Sequence, residues 1–467
     1  MPTLITTKAE LIRALTDAAK LEHQFMVQYL YSAFSLKKNP DPTCDAAAFE
    51  SVRRWASAAY AIARQEMEHL SVVNSILTAI GGPPCFYHDG FPTRLRWYSS
   101  AALARRARPD AVPCELPFVL ERLELSSVRR YACMESPTFD LVPSPEQPAV
   151  RIWCFQDPSG ECPCVNDAPL PPIAQAAIDA TDIEIGTVEE LYAAIRAGLE
   201  FIAARDGEAA LFNGKPSGQS EIPSEYDIYL FPITDLSSAL AGVDMVTAQG
   251  EGLRTYAGFQ SHFLQWVETA REYEALLAEM PDFEPSKRVA KNPSVGGFDN
   301  PFTDQAAAVW NAGYVTLLYY LTGYYSRYSP SGFKQYPYFS AALETTAFAP
   351  MMTMLVRSLG EVLTELHVGC GPVRAGPAFF IPPEDRALLE HPDDPRYADI
   401  DFYWQRLATV SRGLDELLAS HPPPEVQARL VFIAENVRRV LSNVATVYQQ
   451  GIYPALNPDL DHTCPSE

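Results

Sequence analysis

Residues 64–70 read Arg64-Gln65-Glu66-Met67-Glu68-His69-Leu70, and the placement of this heptapeptide decides the fold. Glu66 and His69 stand three residues apart, so on a helix both project from one face. Along that face, one turn away in each direction, lie Ala59, Ile62 and Val73. A carboxylate and an imidazole therefore interrupt an apolar stripe, and burying them without partners would be costly. Glu68 points to the side shared with Arg64 and Gln65, where it reads as a solvated surface residue.

The heptapeptide lies inside a periodic run from Ala46 to Ile80 that stops at Gly81-Gly82-Pro83-Pro84, where glycine caps and proline forbids continuation. Upstream, residues 7–37 carry helical periodicity behind Thr7 and Glu10, spaced as a capping box. Within that first helix the run Leu21-Glu22-His23-Gln24-Phe25-Met26-Val27-Gln28-Tyr29-Leu30 sets Glu22 on one apolar face with Met26 and Tyr29. A lone Glu on one helix and Glu-x-x-His on its neighbour form half of the ligand set of a di-iron bundle. His23 falls one residue off the ligand face and reads as a surface histidine or a partner of a ligand.

The other half of such a set is less plain. Residues 83–184, rich in proline and cysteine with one short helix around Leu116 to Met134, read as an irregular crossover. Helical signal returns at Thr187–Ala204, Thr234–Gly250 and Ser261–Glu279. With the first two helices these predict an all-α, ferritin-like four-helix bundle spanning residues 1–285. There is no second Glu-x-x-His. Glu190 is either the second lone carboxylate or, with Thr187, a capping box. Glu251 and His262 would stand roughly 16 Å apart on a continuous helix, at about 1.5 Å per residue. Gly250, Gly252 and Gly258 break that helix and allow a loop to bring the two together.

After a linker at Met280–Pro301, the runs Ala306–Tyr328, Met351–Leu366 and two more between Tyr403 and Tyr448 predict a C-terminal helical region, 300–467. It packs on the bundle or mediates self-association into a homo-oligomer. Its tyrosines, Tyr314, Tyr319, Tyr320, Tyr324 and Tyr325, suit a pocket wall or, at helical spacing, the core.

A net charge of −22 and a pI near 4.8 argue against a nucleic-acid partner, which needs a basic face, and leave a small molecule or a protein. No segment approaches the ~18 consecutive apolar residues of a membrane span, and the first residues lack a signal-peptide pattern. The expectation is a cytoplasmic protein with no membrane partner. Nine cysteines, an odd count scattered through a long chain, read as mostly reduced. Cys154, Cys162 and Cys164 lack both the spacing and the fourth ligand of a zinc site, so they read as loop thiols or a local disulfide.

Leu21-Glu22-His23 with Gln28-Tyr29-Leu30-Tyr31, and residues 64–70 leading into Asn74 and Ala79-Ile80-Gly81-Gly82, resemble the ferritin-like domain of the iminophenyl-pyruvate dimer synthase group. The likeness extends through Thr187-Val188-Glu189-Glu190-Leu191-Tyr192, Gln249-Gly250-Glu251-Gly252 and Ser261-His262-Phe263 to Ala375-Gly376-Pro377, most of the chain. Enzymes of that group couple two aromatic amino-acid-derived imines in violacein and indolocarbazole biosynthesis. The resemblance implies oxidative chemistry on a small aromatic molecule. Some members are credited with a haem, whereas the ligand pattern here favours non-haem metal.

The expected ligands are Glu22, Glu66 and His69 on one side and Glu190, Glu251 and His262 on the other. Carboxylates and imidazoles suit two irons, with manganese the alternative. Tyr29, one turn beyond Met26, is the candidate catalytic residue, lining the pocket or donating a proton, unless it is simply core. The competing readings are an iron-handling protein and a non-catalytic helical interaction module.

Overall fold

In the computed structural model, Thr7 accepts a hydrogen bond from the Glu10 amide while the Glu10 carboxylate accepts from Thr7, and this capping box opens α1 (Lys8–Ser35). The structure describes residues 5–94, 114, 116–137, 153–154, 156, 159, 161–164, 187–214, 219, 229–250, 260–326, 343 and 346–449. α2 (Ala46–Ala79) starts at Asp45, whose side chain accepts from the Ala47 and Ala48 amides. It ends before Gly81, whose positive φ of 81° is the left-handed turn that glycine supplies. α1 and α2 run antiparallel, with Gly82 at the end of one against Ile12 near the start of the other.

A two-stranded antiparallel ribbon, β1 (Thr93–Arg94) with β2 (Pro117–Phe118), precedes α3 (Leu125–Met134). Then come α4 (Val188–Asp206), the single turn α5 (Glu208–Leu211), α6 (Leu236–Gly250) and α7 (His262–Glu279). The all-α bundle with its long crossover is as expected, but its membership differs. α3, which the sequence leaves in the crossover, packs along α7 and closes the bundle over the C-terminal half of α1 and the N-terminal half of α2. There the Tyr131 hydroxyl lies 2.6 Å from that of Ser32, and Glu272 accepts from Ser51 and from Trp55 Nε1. α4 and α6 cover the opposite halves, Gly198 against Ile5 and Gly242 against Val72. The two helix pairs thus meet at mid-length of α1 and α2, the level of Glu22, Glu66 and His69.

Asn300 caps α8 (Pro301–Tyr325), with Pro301 in the first turn, where its missing N–H costs nothing. A wide π-helical stretch, Ala347–Arg357, runs into α9 (Ser358–Leu363). α10 (Pro383–Leu389), α11 (Ile400–Ala419) and α12 (Pro424–Gln449) complete the C-terminal layer. The stretch read as a linker is strapped across the bundle: Lys37 donates to the Pro285 carbonyl, Asn292 to that of Leu120 and Ala290 to that of Arg374. One continuous core runs through bundle and C-terminal layer. The five tyrosines of α8 stand in that core, with Tyr319 donating to Asp385 and Tyr325 within 2.5 Å of the Ser71 hydroxyl.

α8 also corrects the surface reading of His23. It lies over that face of α1, and Tyr314 Oη is 2.7 Å from His23 Nε2 and 3.1 Å from His88 Nε2, so His23 is fully buried. The cysteines differ as well. Cys114 pairs with Cys162 and Cys133 with Cys154, while Cys164 is a buried thiol. Partners far apart in sequence meet because the Cys114 amide bonds the Cys154 carbonyl, leaving Cα separations of 5.7 and 5.8 Å. Among the described residues no helix is long and apolar enough to cross a membrane.

Candidate metal centre

Glu66 and His69 project inward from α2 as their spacing requires, at 1% and 2% exposure. His262, the first residue of α7, is delivered by the Ser261 cap. The Glu66 carboxylate divides between the two imidazoles: its Oε2 is 3.1 Å from His69 Nδ1 and its Oε1 3.0 Å from His262 Nδ1. One ligand atom from each of the three lies within 4.8 Å of the others. Glu22 Oε2 stands 3.5 Å from His69 Nδ1, and Glu135 Oε1, just past the end of α3, stands 3.7 Å from His262 Nδ1.

The two imidazoles and the two outer carboxylates each have an outer partner. His69 Nε2 lies 2.8 Å from Gln249 Oε1, and His262 Nε2 lies 3.0 Å from Gln65 Oε1. Tyr192 Oη donates to Glu22 and Tyr29 Oη to Glu135. Tyr29 itself is enclosed by the rings of Phe25, Tyr131 and Trp266, so it holds a carboxylate from behind and belongs to the core. Glu68 is not solvated. α6 covers that side of α2, and Glu68 accepts from the Tyr229 amide and from Gln249 Nε2 at 2% exposure.

Of the six residues expected as ligands, the structure brings Glu22, Glu66, His69 and His262 together. Glu190 stays half-buried at the third position of α4, its amide donating to Thr187 Oγ1, which is the capping geometry. Glu251 lies outside the described residues. Glu135 was missed because it follows a helix of ten residues inside the crossover. The signal that would have found it is its register, since Val128, Tyr131 and Glu135 continue one buried stripe. We expect Glu190→Gln to leave metal content unchanged and to shift stability by no more than about 0.5 kcal/mol, read by metal analysis and denaturant melts. A fall in metal content would return Glu190 to the ligand set.

Glu66 Oε1 and His262 Nδ1 are buried and 3.0 Å apart, yet neither has an aligned hydrogen-bond partner among the described residues. Two orphaned donor atoms of ligand type, facing each other, are what a bound cation would satisfy. Three carboxylates and two imidazoles are a set suited to iron or manganese.

Without metal the cluster holds protons. Burial, and next the charge of Glu66, push Glu22 from 4.5 up to about 7. Burial alone would lower His262, but Glu66 and Glu135 outweigh it and raise the imidazole from 6.5 to about 9. His69 moves the same way, burial being overcome by Glu22 and Glu66, whereas His262 holds Glu66 low against its burial. Both values exceed those of the unfolded chain, so the folded state binds the extra protons. The stability from His262 is complete below pH 6.5 and lost as pH rises through about 9; that from Glu22 is complete below 4.5 and lost through about 7. Metal-free protein should therefore melt progressively lower between pH 6.5 and 9, while metal binding, which displaces these protons, tightens over the same window. Melting curves with chelator and with metal across that range test this, and parallel pH profiles would contradict it.

Helices of two facing pairs that turn carboxylates and imidazoles into a shared interior define a helical bundle with a buried carboxylate–imidazole cluster. The chain belongs to the ferritin-like family, whose model matches residues 15–270. It is 26% identical to dichlorochromopyrrolate synthase of Lentzea aerocolonigenes over 93% of its own length and 41% of that protein. It is 25% identical to 2-imino-3-(indol-3-yl)propanoate dimerase of Chromobacterium violaceum over 84% of its length and 36% of that one. The chain thus spans less than half the length of either curated relative. A solved ferritin-like protein from Caulobacter vibrioides overlays 74% of this chain and 96% of its own, with 19% identity and a TM-score of 0.42.

Proposed function

We propose that this protein is a non-haem di-iron oxidoreductase of secondary metabolism acting on a small, aromatic amino-acid-derived molecule, by oxidative coupling or dehydrogenation. One observation carries the two-metal reading: the two oxygens of Glu66 face different imidazoles, each with its own further carboxylate. Glu22, His69 and Glu66 Oε2 would hold one ion, and Glu135, His262 and Glu66 Oε1 the other. Bound there, iron would supply the one-electron changes that draw electrons from a substrate.

The chain's own residues prepare the site for this. Tyr192 and Tyr29 orient the two outer carboxylates, Gln249 and Gln65 orient the two imidazoles, and the surrounding rings keep water from the buried charges. The substrate class is supported by a relative named for dimerising 2-imino-3-(indol-3-yl)propanoate. The proposed ligands all fall within residues 1–285, and the C-terminal region 300–467 supports that bundle.

Metal identity and stoichiometry of protein purified without added metal come first. Iron-loaded protein is then reduced, exposed to oxygen and mixed with aromatic amino acids or their imines, and oxygen uptake and products are followed. Uptake that depends on both substrate and Glu66 is the expected result. A loaded centre that never turns over with any such molecule would overturn the enzymatic reading, and many irons per chain would favour iron handling instead.

A further inference from the structure

We propose that Gln249, held in one orientation by Glu68, is a positioning residue that commits His69 to presenting Nδ1 to the carboxylate cluster. The proposal rests on the metal reading above. A side-chain amide can be turned either way, with oxygen or nitrogen towards a given neighbour. Gln249 stands between two groups, its Oε1 2.8 Å from His69 Nε2 and its Nε2 3.3 Å from Glu68 Oε2. The other oxygen of Glu68 accepts from the Tyr229 amide, so both carboxylate oxygens are placed as acceptors, each meeting an N–H.

A carboxylate of that kind only accepts, and only the NH2 of Gln249 can answer it. The turned amide would set acceptor against acceptor where water cannot intervene, since Glu68 is 2% and Gln249 8% exposed. The amide oxygen is therefore fixed towards His69, and only a protonated Nε2 matches it. In the neutral ring this leaves the lone pair on Nδ1, the atom 3.1 Å from Glu66 and 3.5 Å from Glu22. Reversed, the NH2 would demand a lone pair on Nε2 and drive the proton onto Nδ1, closing it to a cation. Glu68, which spacing alone turns away from the ligand face, thus acts on the site through one intermediary.

The test is cobalt(II) titration of the full-length, metal-free chain, followed by the visible absorption of the bound ion, with circular dichroism as a check on folding. Gln249→Leu removes the acceptor at similar volume and should weaken cobalt binding roughly 10–100-fold and alter its spectrum. The swapped pair Glu68→Gln/Gln249→Glu keeps the polarity of the chain, an amide NH2 donating to a carboxylate that accepts from His69. It should restore affinity to within a few-fold of the unaltered protein, which a merely space-filling role for Gln249 would not predict. Unchanged cobalt binding in Gln249→Leu, or a swapped pair as weak as the single variant, overturns this proposal alone. Failure of the unaltered chain to take cobalt overturns the metal reading and this proposal with it.

Discussion

Glu66→Ala is expected to empty the centre of metal while the protein stays soluble and helical. Among the described residues its carboxylate is the one group placed within 3.1 Å of both imidazole Nδ1 atoms, so its loss removes a ligand from each proposed ion at once. The effect should exceed the roughly 10–100-fold that loss of an outer partner costs. Folding should survive, because the apolar face around it, with Ala59, Ile62 and Val73, is untouched and Glu66 caps no helix. His69→Ala, which spares the His262 side, should lower the metal content less. Elemental analysis with far-UV circular dichroism on both variants reads this directly. Unchanged metal in both would refute the assignment of α2 as the ligand helix.

Arg130→Ala should produce the largest loss of stability. Arg130 lies on α3 with its side chain 1% exposed, bonded to Glu121, itself 3% exposed, and to the Cys164 carbonyl at 3.2 Å. Burial opposes the charge on Glu121, and Arg130 together with Lys291 holds its carboxyl below the ordinary range. Without Arg130 the buried carboxylate keeps only Lys291, 3.0 Å away with a side chain 30% exposed. Removing one partner of a buried pair costs about 3–5 kcal/mol, because the remaining charge stays desolvated. Replacing both, as in Arg130→Met with Glu121→Leu, should recover most of that. Urea denaturation of the single and double variants measures it; a single variant within about 1 kcal/mol of the unaltered protein would show the pair to be dispensable. α3 also delivers Glu135, so weaker metal binding should accompany the loss.

Much was legible in the sequence where the information is local. The capping box of Thr7 and Glu10, the stop at Gly81 and the shared face of Glu66 and His69 each depend on residues within one or two turns, and the structure shows all of them. Glu22 was readable for the same reason, as a carboxylate in an apolar stripe of a long helix. His262 was the weakest of the expected residues that the structure delivers, because its place depends on the start of a helix and not on a periodic face.

What the tertiary structure alone decided concerns which faces are covered and by what. Periodicity shows that a helix has an apolar side, but it does not name the helix that packs there. Glu68 and His23 look solvent-facing until α6 and α8 are laid over them, after which one becomes the anchor of Gln249 and the other a partner of Tyr314. The cysteine pairs and Glu135 belong to the same class, since Cys114 meets Cys162 across 48 residues and Glu135 meets His262 only because α3 packs on α7. The sequence by itself determined the helices and three of the five proposed ligands, Glu22, Glu66 and His69, through spacings of three or four residues. Only packing at long separation completed the site, because burial and hydrogen-bond partners are properties of the neighbouring element rather than of the residue's own helix.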